Sequence, residues 1–224
     1  FKPKIFNYIK SYQSLEKDIL PDLIYKKKIN GCYQKSKFID IGTYSNLKNA
    51  NKFFEKKKNI RAAFLDRDGV INYDTNYLHK LKDLKFRPGA VEAIKFLNKK
   101  MIKVFIVTNQ AGIGKNIFSE KTFYKFQKNY IEILNKKNAI VDDIMFCPFH
   151  PLAKIRKYKK KSQYRKPGNL MVKKLIKKWD INISSSFMIG DQKKDLLTAK
   201  KSGIYFEYAK KNLLDQVKKI YKNN

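Results

Sequence analysis

Two aspartates that follow a short apolar stretch are the residues of this chain best suited to chemistry. They lie in the run Asp66-Arg67-Asp68-Gly69, directly after the apolar segment 60–65. Side chains at positions i and i+2 of an extended chain point the same way, so both carboxylates can face one small volume. Gly69 allows a sharp turn that exposes backbone N–H groups to an anion. The pair therefore predicts a site for a cation and a phosphate.

A second apolar segment also ends in polar groups. Residues 102–107 read as a strand and are followed by Thr108, Asn109 and Gln110. A hydroxyl and two amides suit phosphoryl or hydroxyl oxygens. A threonine at a strand end is ordinary by itself, so this segment gains meaning only beside the two aspartates.

Two further segments complete the set. Arg165 and Lys166 precede an amphipathic stretch at 169–179, and a proline at position 167 is typical of a helix start. The apolar segment 187–189 ends in Gly190-Asp191, with Asp195 four residues later. Cations could neutralise a phosphate, and a second acidic strand end could share a cation with the first.

Apolar periodicity predicts the scaffold that positions these groups. Apolar residues recur at helical spacing within 90–97 and 123–134, which indicates helices with one buried face. Short apolar strands alternate with these helices, so we expect an α/β protein with a doubly wound parallel sheet. Ligands of such sheets bind beyond the carboxyl ends of the strands, where all four segments fall.

The four segments occur in the order found in haloacid dehalogenase-type phosphatases. The stretch from about 61 to 204 resembles their small-capped members, which include heptose 1,7-bisphosphate and histidinol-phosphate phosphatases. The resemblance implies a haloacid dehalogenase-like Rossmannoid domain with a small or absent cap. We place this phosphatase domain at 59–210, a short N-terminal extension at 1–58 and a C-terminal helix or tail at 211–224.

The resemblance also implies a role for each motif residue. Asp66 would attack phosphorus and form an aspartyl phosphate, and Asp68 would serve as acid and base. Thr108 and Lys166 would bind the oxygens of the transferring phosphoryl group. Mg²⁺ would offset the repulsion between phosphate and carboxylate, with three ligands: Asp66, the Asp68 backbone carbonyl and Asp191.

The substrate is less sharply defined than the reaction. Asp74 and Tyr77 lie in a loop that resembles the substrate loop of heptose phosphatases, and Asn109 and Gln110 fit the same branch. The planar guanidinium of Arg165 suits a second phosphate or sugar oxygens. However, the segments 108–115 and 164–167 also resemble the phosphatase domain of polynucleotide kinase 3′-phosphatase, which acts on DNA ends.

One family feature is altered. Heptose and histidinol phosphatases usually carry a zinc loop, with Cys-Pro-x-His at one end and Cys-x-Cys at the other. Here only Cys147 occupies a ligand position, because Phe149 replaces the histidine and Ser162 and Tyr164 replace the second cysteine pair. A structural zinc requires four nitrogen or sulfur ligands, so we expect none. Cys147 should be a small buried residue, with aromatic side chains packing the loop.

The N-terminal extension has a resemblance of its own. Residues 14–24, 38–43 and Ala50 resemble the C-terminal end of a sugar-1-phosphate nucleotidyltransferase, although an unrelated extension remains an alternative. A parent that fuses nucleotidyltransferase and phosphatase would suit nucleotide-activated heptose synthesis, which favours a phosphorylated sugar as the substrate. The chain starts at Phe1 rather than methionine, which indicates a trimmed or fragmentary sequence.

Composition leaves room for other partners. The formal net charge is +32, and a basic field attracts polyanions, so a nucleic-acid 3′-phosphatase or a non-catalytic basic binding module are alternatives. The lysines are spread along the chain, which also fits a compositional bias, and we do not favour nucleic acid. Two cysteines form no framework, and no apolar run reaches membrane length, so a cytoplasmic enzyme is expected.

Overall fold

A computed structural model of the protein describes residues 3–9, 12–31, 40–54 and 60–223. The chain divides into two compact units, Phe1–Lys56 and Lys57–Asn224. Cys32, residues 38–39 of the nucleotidyltransferase-like stretch and the predicted join at 56–59 lie outside the described residues.

The described residues of the first unit form two α-helices and a 3₁₀ helix at Pro3–Tyr8. Helix α1 spans Leu20–Tyr25 and follows a π-helical turn at Leu15–Ile19. Ser14 precedes that turn, and its hydroxyl accepts a hydrogen bond from the Lys17 backbone, as helix N-caps do. Helix α2 spans Tyr44–Phe54.

The second unit is built on one five-stranded sheet in the order β3-β2-β1-β4-β5, and every pairing in it is parallel. The strands are β1 (Ala62–Leu65), β2 (Lys103–Asn109), β3 (Asp143–Cys147), β4 (Phe187–Gly190) and β5 (Tyr205–Tyr208). The helices are α3 (Ala90–Lys99), α4 (Ala111–Gly114), α5 (Glu120–Lys136), α6 (Leu170–Trp179), α7 (Lys193–Ser202) and α8 (Leu213–Asn223).

Alternation along the strands places a core on each face of the sheet. In β1, Ala63 and Leu65 face a core formed with α3, α5 and α8, whereas Ala62 and Phe64 face a core formed with α6 and α7. All four residues are fully buried, which explains why β1 reads as a continuous apolar run. The predicted doubly wound α/β fold is confirmed.

Two long connections overhang the carboxyl edge of the sheet. Residues 66–89 join β1 to α3 and contain one 3₁₀ turn at Leu81–Asp83, and residues 148–169 join β3 to α6 with another at Arg156–Tyr158. Neither connection forms a separately folded unit in the described part of the chain, as a small or absent cap requires. On the sheet face that carries α3 and α5, α8 packs its buried side chains against α3.

Candidate active site

The carboxyl ends of the three central strands bring the predicted site residues together. Leu65 of β1 pairs with Ile106 of β2 and with Ile189 of β4, so the residues that follow these strands share one edge. A cleft of about 200 Å³ opens there. Most of the predicted residues line it: Asp66, Asp68, Asp74, Tyr77, Thr108, Asn109, Gln110 and Arg165.

A buried lysine links two carboxylates beneath the cleft. Lys166 Nζ lies 2.7 Å from Asp66 Oδ2 and 2.6 Å from Asp195 Oδ1, and it donates to the Val107 carbonyl at 2.9 Å. Burial raises the pKa of Asp66 to about 7, against the opposing effect of the Lys166 charge. Burial alone would lower the pKa of Lys166, but the two carboxylates raise it above its ordinary value. Lys166 therefore stays a cation directly beside the predicted nucleophile.

A cluster of three carboxylates provides ligands for a cation. Asp66, Asp191 and Asp195 each place an oxygen within 4.8 Å of the others. Asp191 Oδ1 is buried and has no hydrogen-bond partner among the described residues. Burial, and then the charge of Asp195, raise the pKa of Asp191. An unsatisfied carboxylate oxygen in an all-oxygen cluster is the environment that a hard divalent cation such as Mg²⁺ stabilises.

Gly69 allows the DxD turn to approach this cluster. Its φ is +83°, and a Cβ at this position would overlap the Asp191 carboxylate. Glycine adopts a left-handed backbone without steric cost, and only a residue that lacks a Cβ can approach the Asp191 carboxylate so closely. The turn therefore requires glycine at position 69.

Asp68 is held by a set of donors on three sides. Arg67 donates from Nε to Oδ1 at 3.1 Å and from Nη2 to Oδ2 at 2.9 Å. Asn72 donates to Oδ1 at 2.9 Å, and Gln110 donates to Oδ2 at 3.0 Å. Burial would raise the pKa of Asp68, but the Arg67 charge and these hydrogen bonds outweigh it and hold the pKa below its usual value.

The polar residues at the carboxyl end of β2 hydrogen-bond to neighbouring site residues and hold them in place. Gln110 is buried, and its amide donates to Thr108 Oγ1 at 3.0 Å as well as to Asp68. Asn109 donates to the Lys166 carbonyl at 3.1 Å and accepts from the Lys166 N–H at 3.0 Å. Both amides therefore orient the predicted catalytic groups, while one side of each still lines the cleft.

Cationic and aromatic groups surround the mouth of the cleft. Lys115 Nζ donates to the Tyr77 hydroxyl at 2.8 Å and lies 5.4 Å from the centre of its ring. Arg165 is half-buried and donates to the Phe149 carbonyl at 3.3 Å. Asp74 accepts from the Asn76 N–H at 3.0 Å, which shapes the exposed loop that carries Tyr77. The mouth therefore offers the cationic groups of Lys115 and Arg165 to an anionic substrate.

The loop at 148–169 is held by aromatic packing. Cys147 is fully buried in the core that faces α6, and its thiol contacts the Phe149 carbonyl at 3.9 Å. Tyr158 is buried, its ring centre lies 6.2 Å from that of Phe149, and both pack with Ile113 and Phe118. The predictions of a buried Cys147 and an aromatic-packed loop are confirmed.

Three residues at the site lay outside the predicted roles. Asp195 was noted in the motif without a function, and it proves to be the second partner of Lys166. Lys115 lies in the segment 108–115 that resembles the DNA-end phosphatases, but its contact with Tyr77 depends on how two distant parts of the chain fold. Arg67 lies between the two aspartates and has no predicted role, yet its side chain is fully buried against Asp68.

The sequence and the fold are similar to those of known proteins. The sequence matches the family described as polynucleotide kinase 3 phosphatase over residues 62–217. D-glycero-beta-D-manno-heptose-1,7-bisphosphate 7-phosphatase from Rhodopseudomonas palustris is 41% identical over 143 residues, which cover 64% of this chain and 79% of the relative. The chain belongs to the haloacid dehalogenase phosphatases. It is therefore a phosphoric monoester hydrolase, as the motif resemblance implied.

Other members of this superfamily support the same assignment. D-glycero-alpha-D-manno-heptose-1,7-bisphosphate 7-phosphatase from Photorhabdus laumondii is 36% identical over 145 residues, covering 65% of this chain and 79% of the relative. A protein from Mesorhizobium loti described as a HAD-like phosphatase has a TM-score of 0.66 at 26% identity, covering 73% of this chain and 87% of its own.

One solved haloacid dehalogenase phosphatase also contains ligands. D,D-heptose 1,7-bisphosphate phosphatase from B. bronchiseptica, complexed with magnesium and phosphate, has a TM-score of 0.65 at 22% identity and covers 74% of this chain and 100% of that chain. At this level of identity the likeness shows the shared fold.

In the described part of our chain, no helix is long and apolar enough to span a membrane.

Proposed function

We propose that this phosphatase removes the 7-phosphate from a D-glycero-D-manno-heptose 1,7-bisphosphate in a Mg²⁺-dependent reaction. The observation that supports the chemistry is the arrangement of Asp66 beside Lys166, with the partnerless Asp191 oxygen close by. The substrate is proposed from the relatives at 41% and 36% identity, which are both described as heptose-1,7-bisphosphate 7-phosphatases.

The proposed reaction uses Asp66 as a nucleophile. Its Oδ attacks phosphorus, the bond to the sugar oxygen breaks, and an aspartyl phosphate forms on Asp66. Asp68 is ionised in the free site, and the negative charge of the bound phosphate raises its pKa so that it enters the first step protonated. It gives that proton to the leaving oxygen and then takes a proton from the water that hydrolyses the aspartyl phosphate. Thr108 and Lys166 hold the equatorial oxygens during both transfers.

Mg²⁺ would be held by Asp66, Asp191 and the Asp68 backbone carbonyl, and it would neutralise charge between the phosphate and the nucleophile. The carboxylate cluster and the unsatisfied Asp191 oxygen fit such an ion. Asp195 already pairs with Lys166, so we assign it to orient that lysine and to complete the negative field. Removal of divalent cations should abolish turnover.

Recognition of the sugar is proposed for the mouth of the cleft. Arg165 offers a planar fork to a second phosphate or to sugar hydroxyls, and it lines the same cleft as Asp66. Tyr77 and Asp74 would contact the sugar from the opposite loop. Asn109 and Gln110 would add amide contacts to oxygens of the substrate.

We also propose the cellular setting. Cys147 is a free, buried thiol, which fits a reducing cytoplasm. The nucleotidyltransferase-like residues near the start of the chain suggest fusion to, or association with, an enzyme that activates the 1-phosphate left by this reaction. The first unit of the fold would be a remnant of that enzyme.

A nucleic-acid 3′-phosphatase is the second candidate, because the matching family is described as polynucleotide kinase 3 phosphatase and the chain carries a charge of +32. Binding of a polyanion by this charge would weaken steeply as salt rises. Heptose hydrolysis should depend on salt far less, since a small substrate makes few phosphate contacts.

The deciding experiment measures Mg²⁺-dependent phosphate release from both anomers of heptose 1,7-bisphosphate, histidinol phosphate and a 3′-phosphorylated oligonucleotide. Asp66→Asn should be inactive on every substrate, and Asp215→Asn, an exposed carboxylate on α8, serves as the matched control. Preference for a heptose bisphosphate supports the proposal. Preference for the oligonucleotide would replace it, and activity in Asp66→Asn would reject the nucleophile.

A further inference from the structure

Arg67 lies between the proposed nucleophile and the proposed acid, yet it does not line the cleft. Its side chain is completely buried, and it is the largest by volume of the fully buried side chains in the described residues. We infer that Arg67 is a positioning residue, which holds the carboxyl group of Asp68 in the plane from which its protonated form delivers a proton to the leaving oxygen. This inference rests on the proposed acid role of Asp68.

The contact between the two side chains is a two-point fork. Arg67 Nε faces Asp68 Oδ1 at 3.1 Å, and Nη2 faces Oδ2 at 2.9 Å. Two parallel N–H···O bonds fix the plane of a carboxylate as well as its position, which a single donor cannot do. The Arg67 backbone N–H also donates to Asp66 Oδ1 at 2.8 Å, so one residue holds both aspartates.

The guanidinium is itself fixed from the far side. Nη2 also donates to the Leu78 carbonyl at 3.3 Å, and Nη1 approaches Gln127 Oε1 at 3.5 Å. The ring centres of Phe126 and Phe123 lie 5.3 Å and 6.0 Å from the guanidinium carbon. Leu78 belongs to the substrate loop and the other three residues belong to α5, so Arg67 connects Asp68 to rigid elements.

Full burial separates this role from substrate binding. Arg67 presents no accessible atom to the cleft, so its effect on catalysis must pass through Asp68. Misorientation of an acid harms the reaction most when the leaving group is a poor one, because a good leaving group departs without a proton. Arg67 should therefore control how strongly the rate depends on the leaving group.

The test uses a series of aryl phosphates, from p-nitrophenyl to unsubstituted phenyl phosphate, and measures kcat/KM at one pH. This parameter covers steps up to cleavage of the phosphate ester and leaves out hydrolysis of the aspartyl phosphate. Arg67→Met keeps the long stem between the two phenylalanines and removes the fork. We expect the phenyl-to-nitrophenyl rate ratio to fall about tenfold or more, toward the value in Asp68→Asn.

Two further variants guard against a purely structural effect. Arg67→Lys keeps a cation but lacks the fork. It should fold as the wild type does and recover only part of the phenyl-to-nitrophenyl rate ratio that is lost in Arg67→Met. Arg61→Met is the matched control, because Arg61 also lies over an aromatic ring, that of Tyr221 at 5.3 Å, but at the opposite end of β1. It should keep the wild-type ratio. Thermal unfolding of each variant confirms that it is folded.

The outcomes separate the inference from the proposal beneath it. An unchanged ratio in both Arg67 variants, whether activity is kept or lost equally on all substrates, would overturn the positioning role. A wild-type ratio in Asp68→Asn would instead reject the acid assignment. Because the aryl series contains no sugar, the test remains valid if heptose bisphosphate is not the substrate.

Discussion

Replacement of Lys166 by methionine would leave two buried carboxylates without their shared cation. Lys166 Nζ is within 2.7 Å of Asp66 and 2.6 Å of Asp195, and its side chain is fully buried. Removing one member of a buried ion pair costs about 3–5 kcal/mol, because the remaining charge stays away from water. Here two like charges remain, so we expect the upper part of that range in the absence of metal.

The loss of stability in Lys166→Met can be measured by urea unfolding in the presence of EDTA. Trp179 is the single tryptophan of the chain, and its ring centre lies 5.6 Å from that of Phe105 in the core, so its fluorescence reports on the phosphatase domain. With a urea dependence of about 2 kcal/mol per molar, a loss of about 4 kcal/mol lowers the midpoint by about 2 M. Lys157→Met, which breaks an exposed pair with Glu120, should leave the urea midpoint essentially unchanged, because exposed ion pairs contribute little to stability.

The direction of the pH dependence is fixed by the same charges. Without Lys166 the folded-state pKa of Asp66 rises further, so the folded state takes up protons more readily than the unfolded state. The loss of stability in Lys166→Met relative to wild type should therefore be smaller at about pH 6 than at about pH 8. Combining Lys166→Met with Asp195→Asn removes the repulsion between the two carboxylates and should recover part of the stability.

Equal urea midpoints for Lys166→Met and wild type in EDTA would refute this reasoning. A deficit that is independent of pH would also contradict it, since it would assign the loss to packing rather than to charge. Activity provides a second measurement, because removal of one electrostatic stabiliser typically costs about 100- to 1,000-fold in kcat. The loss of kcat should persist in the double variant Lys166→Met/Asp195→Asn, even though that variant recovers part of the stability.

Three more predictions concern the turn, the loop and a distant ion pair. Gly69→Ala should weaken Mg²⁺-dependent activity at least about tenfold, since its Cβ displaces Asp191, and titration of activity with Mg²⁺ would show this. Tyr158→Ala should cost about 3 kcal/mol in urea unfolding without any response to zinc chelation. Asp143 pairs with Lys178 and Trp179, and these partners lower its pKa overall although burial alone would raise it. Asp143→Asn should therefore lower the free energy of unfolding, measured by urea unfolding, by about 1 kcal/mol near neutral pH. In acid, where wild-type Asp143 is protonated, the two proteins should be equally stable.

The sequence was sufficient for the three central strands because β1, β2 and β4 are buried on both faces. The edge strands β3 and β5 are only partly buried and were not predicted. Ala62 to Leu65 read as an apolar run, and the following aspartates marked the carboxyl edge where the cleft opens. The periodicity at 90–97 predicted α3, whose apolar residues are buried. Both signals are local, so one sequence was enough to find them.

The partners of the site residues could not be predicted in the same way. Arg67 is buried because Phe123 and Phe126 come from a helix more than fifty residues later in the chain. Gln110 suited substrate oxygens by composition, yet its amide meets Asp68 only after β1 and β2 have paired. Such contacts depend on tertiary distance, which neither spacing nor side-chain type reveals.

The central position of β1 also governs when the enzyme can become active during synthesis. Leu65 pairs with Ile106 on one side and with Ile189 on the other, 124 residues farther along the chain. A growing polypeptide thus carries its nucleophile long before Lys166 and Asp191 leave the ribosome. Until β4 inserts beside β1, Asp191 and Asp195 are not in place, so Asp66 lacks its shared cation site and Lys166 lacks its second carboxylate. Translation products that end before about residue 190 should therefore be inert rather than weakly or indiscriminately hydrolytic.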